Sequence, residues 1–227
     1  MTVAVKRLLR ILEAITNHVQ VSVAKTLSST IGPTILIRND RSEYEMGPAC
    51  VVFFKTDRGQ EYKLVVEVGI SQTHDSLLVK ARKWTLDKKC KIVLLLAFYE
   101  SERYYYCESQ DHCQFGQLAF HPNTWLDEIS EGFIEVVRKD PNSEDTDAQT
   151  NMKYAFIKNG RDKSSSIPRA VGDMRLAEFI PRESLGTDAA ADHVVDFFNC
   201  GDFTCIVRDP RAATAVNRFE KAVQRIA

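Results

Sequence analysis

Glu67 is the residue whose setting in the sequence most strongly suggests chemistry. It lies inside the apolar run 64–70 (LVVEVGI), and a strand this apolar is expected to be covered on both faces. Glutamate is almost never fully buried without a partner, and acids with perturbed pKa values concentrate at functional sites. The pattern favours a metal ligand, a catalytic acid or a buried ion pair. The alternative is that Glu67 lies at a strand end and pairs there with a basic side chain.

Lys80 is the first candidate partner, because it lies on a segment with helical spacing just after this strand. At about 100° per residue, one face of that helix would be apolar, and Lys80 would lie at its margin. From there its side chain could reach back towards the end of the strand. The alternative is a lysine whose alkyl stem only covers apolar surface. The residues that define the apolar face are Leu77, Leu78, Ala81 and Trp84.

The elements that would position these residues form a strand, turn, strand, helix, strand series. β-Branched and aromatic residues predict the strands, and Ser71 and Thr73 are both suitable N-caps for the helix. The last strand is a continuous apolar run, which predicts burial on both faces. The predicted bounds are 50–56 and 61–70 for a hairpin with its turn at 57–60, about 71–88 for the helix, and 91–98 for the buried strand.

The segment 45–100 resembles the PD-(D/E)XK, or restriction-endonuclease-like, superfamily. The likeness rests on a Val-Glu-Val strand continued as Gly-Ile-Ser-Gln (66–72), on the helix residues Leu77, Leu78, Lys80, Ala81, Arg82 and Trp84, and on the apolar run 91–98. Similar patterns occur in fungal proteins of unassigned function and in bacterial predicted endonucleases. The resemblance implies a mixed β-sheet core flanked by helices. It also implies a Mg²⁺-dependent nuclease-like phosphodiesterase, in which acids hold the metal and a lysine orients or deprotonates the attacking water.

Carried over residue by residue, the resemblance makes Glu67 the acidic metal ligand. The family's lysine position, two residues later, is Gly69 in this chain. The resemblance therefore gives the water-orienting role to Lys80, as in branches that take the lysine from the following helix. It also includes Ser71 and Gln72, in the turn after the strand, among the site residues.

The second acid of the metal site is missing from its usual place. Relatives carry Pro-Asp at the start of the first hairpin strand, whereas residues 46–50 read Met-Gly-Pro-Ala-Cys. Glu43 and Glu45, just before this strand, and Glu13, in the N-terminal helical segment, are the candidates to supply this second metal ligand. Without one, the chain would be a degenerate member that keeps the fold for another function.

The rest of the chain is read as one domain, 1–227, of mixed α/β class. A family-like core covers about 34–108, an N-terminal helical segment covers 3–27, and a C-terminal elaboration with extra strands covers 109–227. The elements expected outside the motif are strands at 34–38, 102–108, 132–138 and 152–158, a mobile loop at 164–168, and a final helix at 209–226.

Composition limits the classes of partner and compartment. The chain has 30 basic and 31 acidic residues, a net charge of −1, which argues against coating nucleic acid by bulk charge. A local basic patch, such as the lysines and arginine between 80 and 91, could still contact phosphates. No apolar run is long enough for a membrane span, and the N-terminus does not read as a signal peptide. We therefore expect reduced cysteines and a cytoplasmic or nuclear protein.

Other chemical motifs carry little weight. The cluster Cys107, His112, Cys113 and His121 fits no common zinc spacing, and no Gly-x-Ser-x-Gly elbow or Gly-rich phosphate loop is present.

Three functions remain open. The first is a Mg²⁺-dependent nuclease. The second is a repurposed fold that binds a small molecule or acts on it without metal, as an isomerase, cyclase or hydrolase. The third is a non-catalytic binding module.

Overall fold

The protein is described from a computed structural model. It describes residues 15, 27–31, 35–39, 42–57, 59–70, 72–101, 129–139, 149–185, 191–196, 198, 216, 219, 220 and 224, with the backbone alone at 31, 35–39, 42–45 and 149–151. The predicted strand at 102–108 and the Cys/His cluster lie outside these residues. So do most residues of the two predicted terminal helices. Apart from Leu27, the described residues within those ranges are helical: Ile15, Val216, Phe219, Glu220 and Gln224.

The architecture is a seven-stranded mixed sheet with a separate small hairpin. The sheet order is β1-β4-β5-β6-β7-β8-β9, and β2 pairs with β3. The neighbours β5 and β6 run parallel, and the other pairs are antiparallel. The strands are β1 (Leu27–Ile31), β2 (Ile35–Asn39), β3 (Ser42–Met46), β4 (Cys50–Thr56), β5 (Gly59–Ile70), β6 (Ile92–Glu100), β7 (Ile129–Lys139), β8 (Gln149–Lys158) and β9 (Arg161–Asp162).

One long helix, α1 (His74–Asp87), makes the crossover between the parallel strands β5 and β6. It begins where the sequence predicts, because the Thr73 side chain accepts the backbone N–H of Ser76 at 3.2 Å and so caps the first turn. Its sheet-facing side chains recur at helical spacing, as the apolar pattern requires. After β9 come the short helix α2 (Leu176–Phe179) and single 3₁₀ turns at Ser164–Ser166, Val171–Asp173 and Arg182–Ser184.

Apolar residues cover both faces of the sheet, because side chains alternate along each strand. On one face α1 packs against alternate residues of four strands, including Val51, Val65, Leu95, Phe133 and Val137. On the other face the chain after β9 packs against the remaining residues, with Ile167, Val171, Leu176 and Phe179 in that core. β6 is buried on both sides from Ile92 to Phe98, which confirms the prediction of a central strand.

The mixed α/β class, the β4–β5 hairpin, α1 and the β7–β8 hairpin are confirmed. Three strands were not predicted: β1, which begins at the residue where the N-terminal helix was expected to end, β3, whose charged alternation hides its strand character, and the two-residue β9. The expected mobile loop at 164–168 is instead anchored. The Ser164 backbone N–H donates to Asp162 at 2.7 Å, and Ile167 is buried in the core.

Candidate functional site

A row of side chains crosses the sheet on the face that α1 covers. Glu67 of β5 is paired with Leu95 of β6, and Leu95 is paired with Glu135 of β7. Residues directly opposite each other in a sheet point to the same face. The two glutamates therefore share one side of the sheet, separated by a single leucine. Because neighbouring strands lie about 4.8 Å apart, the Cα atoms of Glu67 and Glu135 lie about 10 Å apart.

Glu67 is held by the helix above it. The residue is 4% exposed, and its Oε1 accepts a hydrogen bond from the indole N–H of Trp84 at 2.7 Å. Burial raises the pKa of Glu67, while the indole bond and the nearby charge of Lys80 oppose that shift only in part. Folding therefore favours the protonated form of this carboxyl group. The apolar helix face predicted for Trp84 is correct, but its role as the hydrogen-bond donor to Glu67 was missed.

Lys80 lies at the margin of the helix, as its position on the helical wheel predicts. Its ammonium donates to Oε1 of Gln72 at 3.0 Å, and its charge acts on Glu67. Three of the residues singled out from sequence, Glu67, Lys80 and Gln72, are thus gathered near the carboxyl end of β5. Ser71 and Glu13 lie outside the described residues. Glu45 is opposite Leu36 in the β2–β3 hairpin, and its side chain is not described.

The structure describes both positions at which the chain departs from the PD-(D/E)XK pattern, Gly69 and Ala49. A Cβ atom at Gly69 would come within 2.8 Å of Cδ2 of Leu77, so the close approach of α1 fills the place of a lysine side chain there. Ala49 precedes Cys50, the partner of Val66, and its N–H donates to the Val66 carbonyl at 2.9 Å. Position 49 is therefore the neighbour of Glu67 across the hairpin, and it carries no acid.

Glu135, the second buried glutamate, has a different partner. Nε2 of His74 donates to Oε2 of Glu135 at 2.6 Å, with side-chain exposures of 35% for the histidine and 2% for the glutamate. His74 is the first residue of α1, so the pair lies near the carboxyl ends of the parallel strands β5 and β6. In open α/β sheets this edge is the usual place for a ligand crevice.

Aromatic rings and one lysine surround the His74–Glu135 pair. The His74 and Tyr99 rings lie 5.4 and 5.8 Å from the ring of Phe133, centroid to centroid. The Lys153 ammonium lies 3.6 Å above the same Phe133 ring, and Lys153 is the strand partner of Glu135. The buried Glu135 thus fixes the orientation of the partly exposed His74 imidazole beside these rings.

The sequence analysis missed Glu135 and His74, although a usable pattern was present for the glutamate. Glu135 lies in Phe-Ile-Glu-Val-Val (133–137), which repeats the apolar setting of Glu67. His74 follows a predicted N-cap, but only the fold brings it to β7. Within the described ranges, no group of three or more His, Cys, Asp or Glu residues is arranged to hold a metal ion.

No protein-family model matches the chain, and no curated protein or solved structure matches it. The fold and the site together define a mixed α/β protein with one large sheet and two buried glutamates under its crossover helix. In the part of the chain that the structure describes, no helix is long and apolar enough to cross a membrane.

Proposed function

We propose that the chain has a restriction-endonuclease-like fold that is repurposed to bind a small molecule and act on it without a two-acid metal site. One observation carries this proposal. Glu67, the residue aligned with the family's metal ligand, bonds to Trp84 at 2.7 Å, and alanine occupies the neighbouring position 49. The motif glutamate is thus retained, but its carboxyl group is used to hold α1 against the sheet.

The order of elements supports the nuclease-like part of the proposal. The antiparallel β4–β5 hairpin carries the motif glutamate, α1 carries the basic residue, and β6 returns parallel to β5. This is the strand, strand, helix, strand series that the resemblance implies. The small-molecule part is supported by the polar groups at the carboxyl edge of the parallel strands, where Gln72 and Lys80 lie and where His74 meets Glu135.

Magnesium prefers several oxygen ligands, carboxylates and waters above all. The described side chains around Glu67 contribute a single carboxyl group, one oxygen of which already accepts the Trp84 N–H. Its raised pKa further disfavours the charged form that a cation would need. These side chains do not fit a magnesium site, so no step of the proposed reaction uses a metal.

Calorimetric titration of the full chain with MgCl₂ and MnCl₂ tests the proposal. We expect wild type, Glu67→Gln and the control Glu61→Gln to give the same heats, because Glu67 is not a metal ligand. Glu61 is a suitable control, since it is an exposed acid on the same strand. Tight binding that only Glu67→Gln removes, or Mg²⁺-dependent cleavage of DNA or RNA, would contradict the proposal.

A Mg²⁺-dependent nuclease with Glu67 as ligand and Lys80 as the water-orienting residue is the second candidate. The observation in its favour is that Lys80, Gln72 and Glu67 are brought together. Its nucleic-acid contact would be the local basic patch that includes the exposed Arg82 and Lys83. A cleavage assay separates the candidates: the nuclease hypothesis requires Mg²⁺-dependent activity that Lys80→Ala abolishes and that Lys55→Ala, at an exposed lysine of β4 outside this patch, retains.

We also propose a cytoplasmic or nuclear location. Cys50 and Cys90 are free and buried thiols, and burial raises the pKa of Cys90 to about 12. Such thiols are inert and are typical of proteins from reducing compartments. Localisation of a tagged full chain in living cells tests this proposal.

A further inference from the structure

The hydroxyl group of Tyr99 marks a second polar centre, away from Glu67. Its oxygen is fully buried and has no hydrogen-bond partner among the described residues. Leaving a buried hydroxyl unpaired costs about 1–3 kcal/mol. A polar atom from outside the chain could pair with this hydroxyl once the side chains that cover it move aside.

Tyr99 shares an aromatic neighbour, Phe133, with the His74–Glu135 pair. In that pair, buried Glu135 holds Nε2 of His74 at 2.6 Å. Because Glu135 fixes one ring nitrogen, the other nitrogen of the half-exposed imidazole is the one left to meet a ligand. Glu135 is thus a positioning residue for His74.

The charges around Tyr99 favour a cation over an anion. Burial raises the pKa of Tyr99, and the negative charges of Glu135, Glu131 and Asp75 raise it further. A phosphate or carboxylate group would be repelled by these three acids, whereas a cation would be attracted. Lys153, whose ammonium lies 3.6 Å above the Phe133 ring, offsets only one of these three negative charges.

We propose that Tyr99, His74 and Glu135 form a binding site for a small molecule that carries a protonated amine. The inference rests on the proposed small-molecule function and specifies its ligand class. The ligand's ammonium group donates to the Tyr99 hydroxyl oxygen and lies within the field of the three acids. The imidazole of His74 accepts a hydrogen bond from a second N–H or O–H of the ligand.

Ethanolammonium chloride is the probe for this site, and sodium phosphate at equal ionic strength is the anionic comparison. Each is titrated into the full chain labelled with ¹⁵N-histidine, and the ring signals of His74 are followed after assignment by their loss in His74→Gln. We expect a saturable shift with ethanolammonium and none with phosphate. Tyr99→Phe should weaken ethanolammonium binding about fivefold, the usual loss for one hydrogen bond.

Tyr62→Phe is the matched control, since Tyr62 is a half-buried tyrosine near Trp84, at the other end of α1. It should bind ethanolammonium as wild type does. Tyr99→Phe should also unfold at the same temperature as wild type or higher, because it removes an unpaired buried hydroxyl. If Tyr99→Phe does not fold, Asp75→Asn replaces it as the test variant, because Asp75 is exposed and one of the three acids. Asp75→Asn should weaken ethanolammonium binding about twofold.

Wild-type binding by Tyr99→Phe, or by Asp75→Asn in its place, would overturn this inference. So would an equal shift of His74 with phosphate. Either result would contradict only the amine ligand, and the proposed small-molecule function would then require a ligand of another class. Divalent-metal binding that depends on Glu67 would instead overturn the proposed function, so the two failures are distinguishable.

Discussion

The two buried glutamates of the sheet differ in what covers them. Glu67 is covered by the indole of Trp84, a neutral donor that is itself fully buried. Glu135 is covered by His74, a titratable donor whose side chain is 35% exposed. Both residues lie in the same row of the same face, under the same helix. Burial of an acid in an apolar strand therefore does not by itself distinguish a structural role from a chemical one.

The difference follows from the path of α1 across the sheet. The helix begins above β7 with His74 and ends near β5 with Trp84, so its two ends meet different glutamates. The end of α1 that carries Trp84 excludes water from Glu67 and favours the protonated form of this glutamate. The other end leaves the His74 imidazole 35% exposed, near a buried tyrosine hydroxyl that has no hydrogen-bond partner among the described residues. The partner on the helix, more than the acid in the strand, is therefore what distinguishes the two glutamates.

Replacing Trp84, the neutral donor to Glu67, should have the largest effect on the free energy of unfolding. Trp84→Phe keeps a ring but opens a cavity and leaves Glu67 without its hydrogen bond, so the free energy of unfolding should fall by about 2–4 kcal/mol. Urea denaturation measures this loss. Tyr62→Phe, whose ring lies 6.3 Å from that of Trp84, should cost less than about 1 kcal/mol. Equal losses would mean that the Trp84–Glu67 bond contributes nothing.

Removing His74, the titratable partner of Glu135, should lower the free energy of unfolding by a smaller amount. His74→Ala leaves Glu135 buried without its partner and should lower the free energy of unfolding by about 1–3 kcal/mol. In the double variant His74→Ala/Glu135→Leu, part of this stability should return, because no unpaired carboxylate remains buried. Urea denaturation of the four proteins of this cycle gives the coupling energy. Strictly additive losses would argue against a specific His74–Glu135 interaction.

The pH dependence of stability should separate Glu67 from an exposed acid. Because the folded-state pKa of Glu67 is raised, its contribution is fully present below the ordinary glutamate pKa and is lost as the pH rises through the raised value. Glu67→Gln should remove this decline from a series of denaturation curves. Glu61 has a pKa lowered by Lys63, so Glu61→Gln should remove a small change of opposite sign. If the stability of wild type and that of Glu67→Gln change with pH in the same way, the pKa of Glu67 is not raised on folding.

The smallest effect on the free energy of unfolding is expected for Lys80, whose charge acts on Glu67 from the margin of α1. Lys80→Met should change the free energy of unfolding by less than about 0.5 kcal/mol, since the side chain is only partly buried. It should nevertheless move the pH-dependent decline to higher pH, because the charge of Lys80 opposes the rise in the Glu67 pKa. Lys83→Met, on the exposed side of the same helix, serves as the control. Identical profiles for the two variants would place Lys80 outside the Glu67 environment.

Local patterns in the sequence predicted the elements that hold the site. Apolar spacing and a threonine cap predicted α1, and continuous apolar residues predicted β6. The partner of Glu67 was harder to predict, because tryptophan on an apolar face indicates core packing and gives no hint of hydrogen bonding. The His74–Glu135 pair was beyond such patterns, since its members are 61 residues apart and only strand pairing brings them together.

The pairing of β6 with β7 also sets the order in which these contacts can form. The Trp84–Glu67 bond spans 17 residues and lies within the unit β5–α1–β6. The His74–Glu135 bond joins that unit to β7. Contacts of long sequence separation require more loop-closure entropy and form more slowly. The His74–Glu135 bond is therefore expected to form after the Trp84–Glu67 bond, and time-resolved protection of His74 would record when β7 joins the β5–α1–β6 unit.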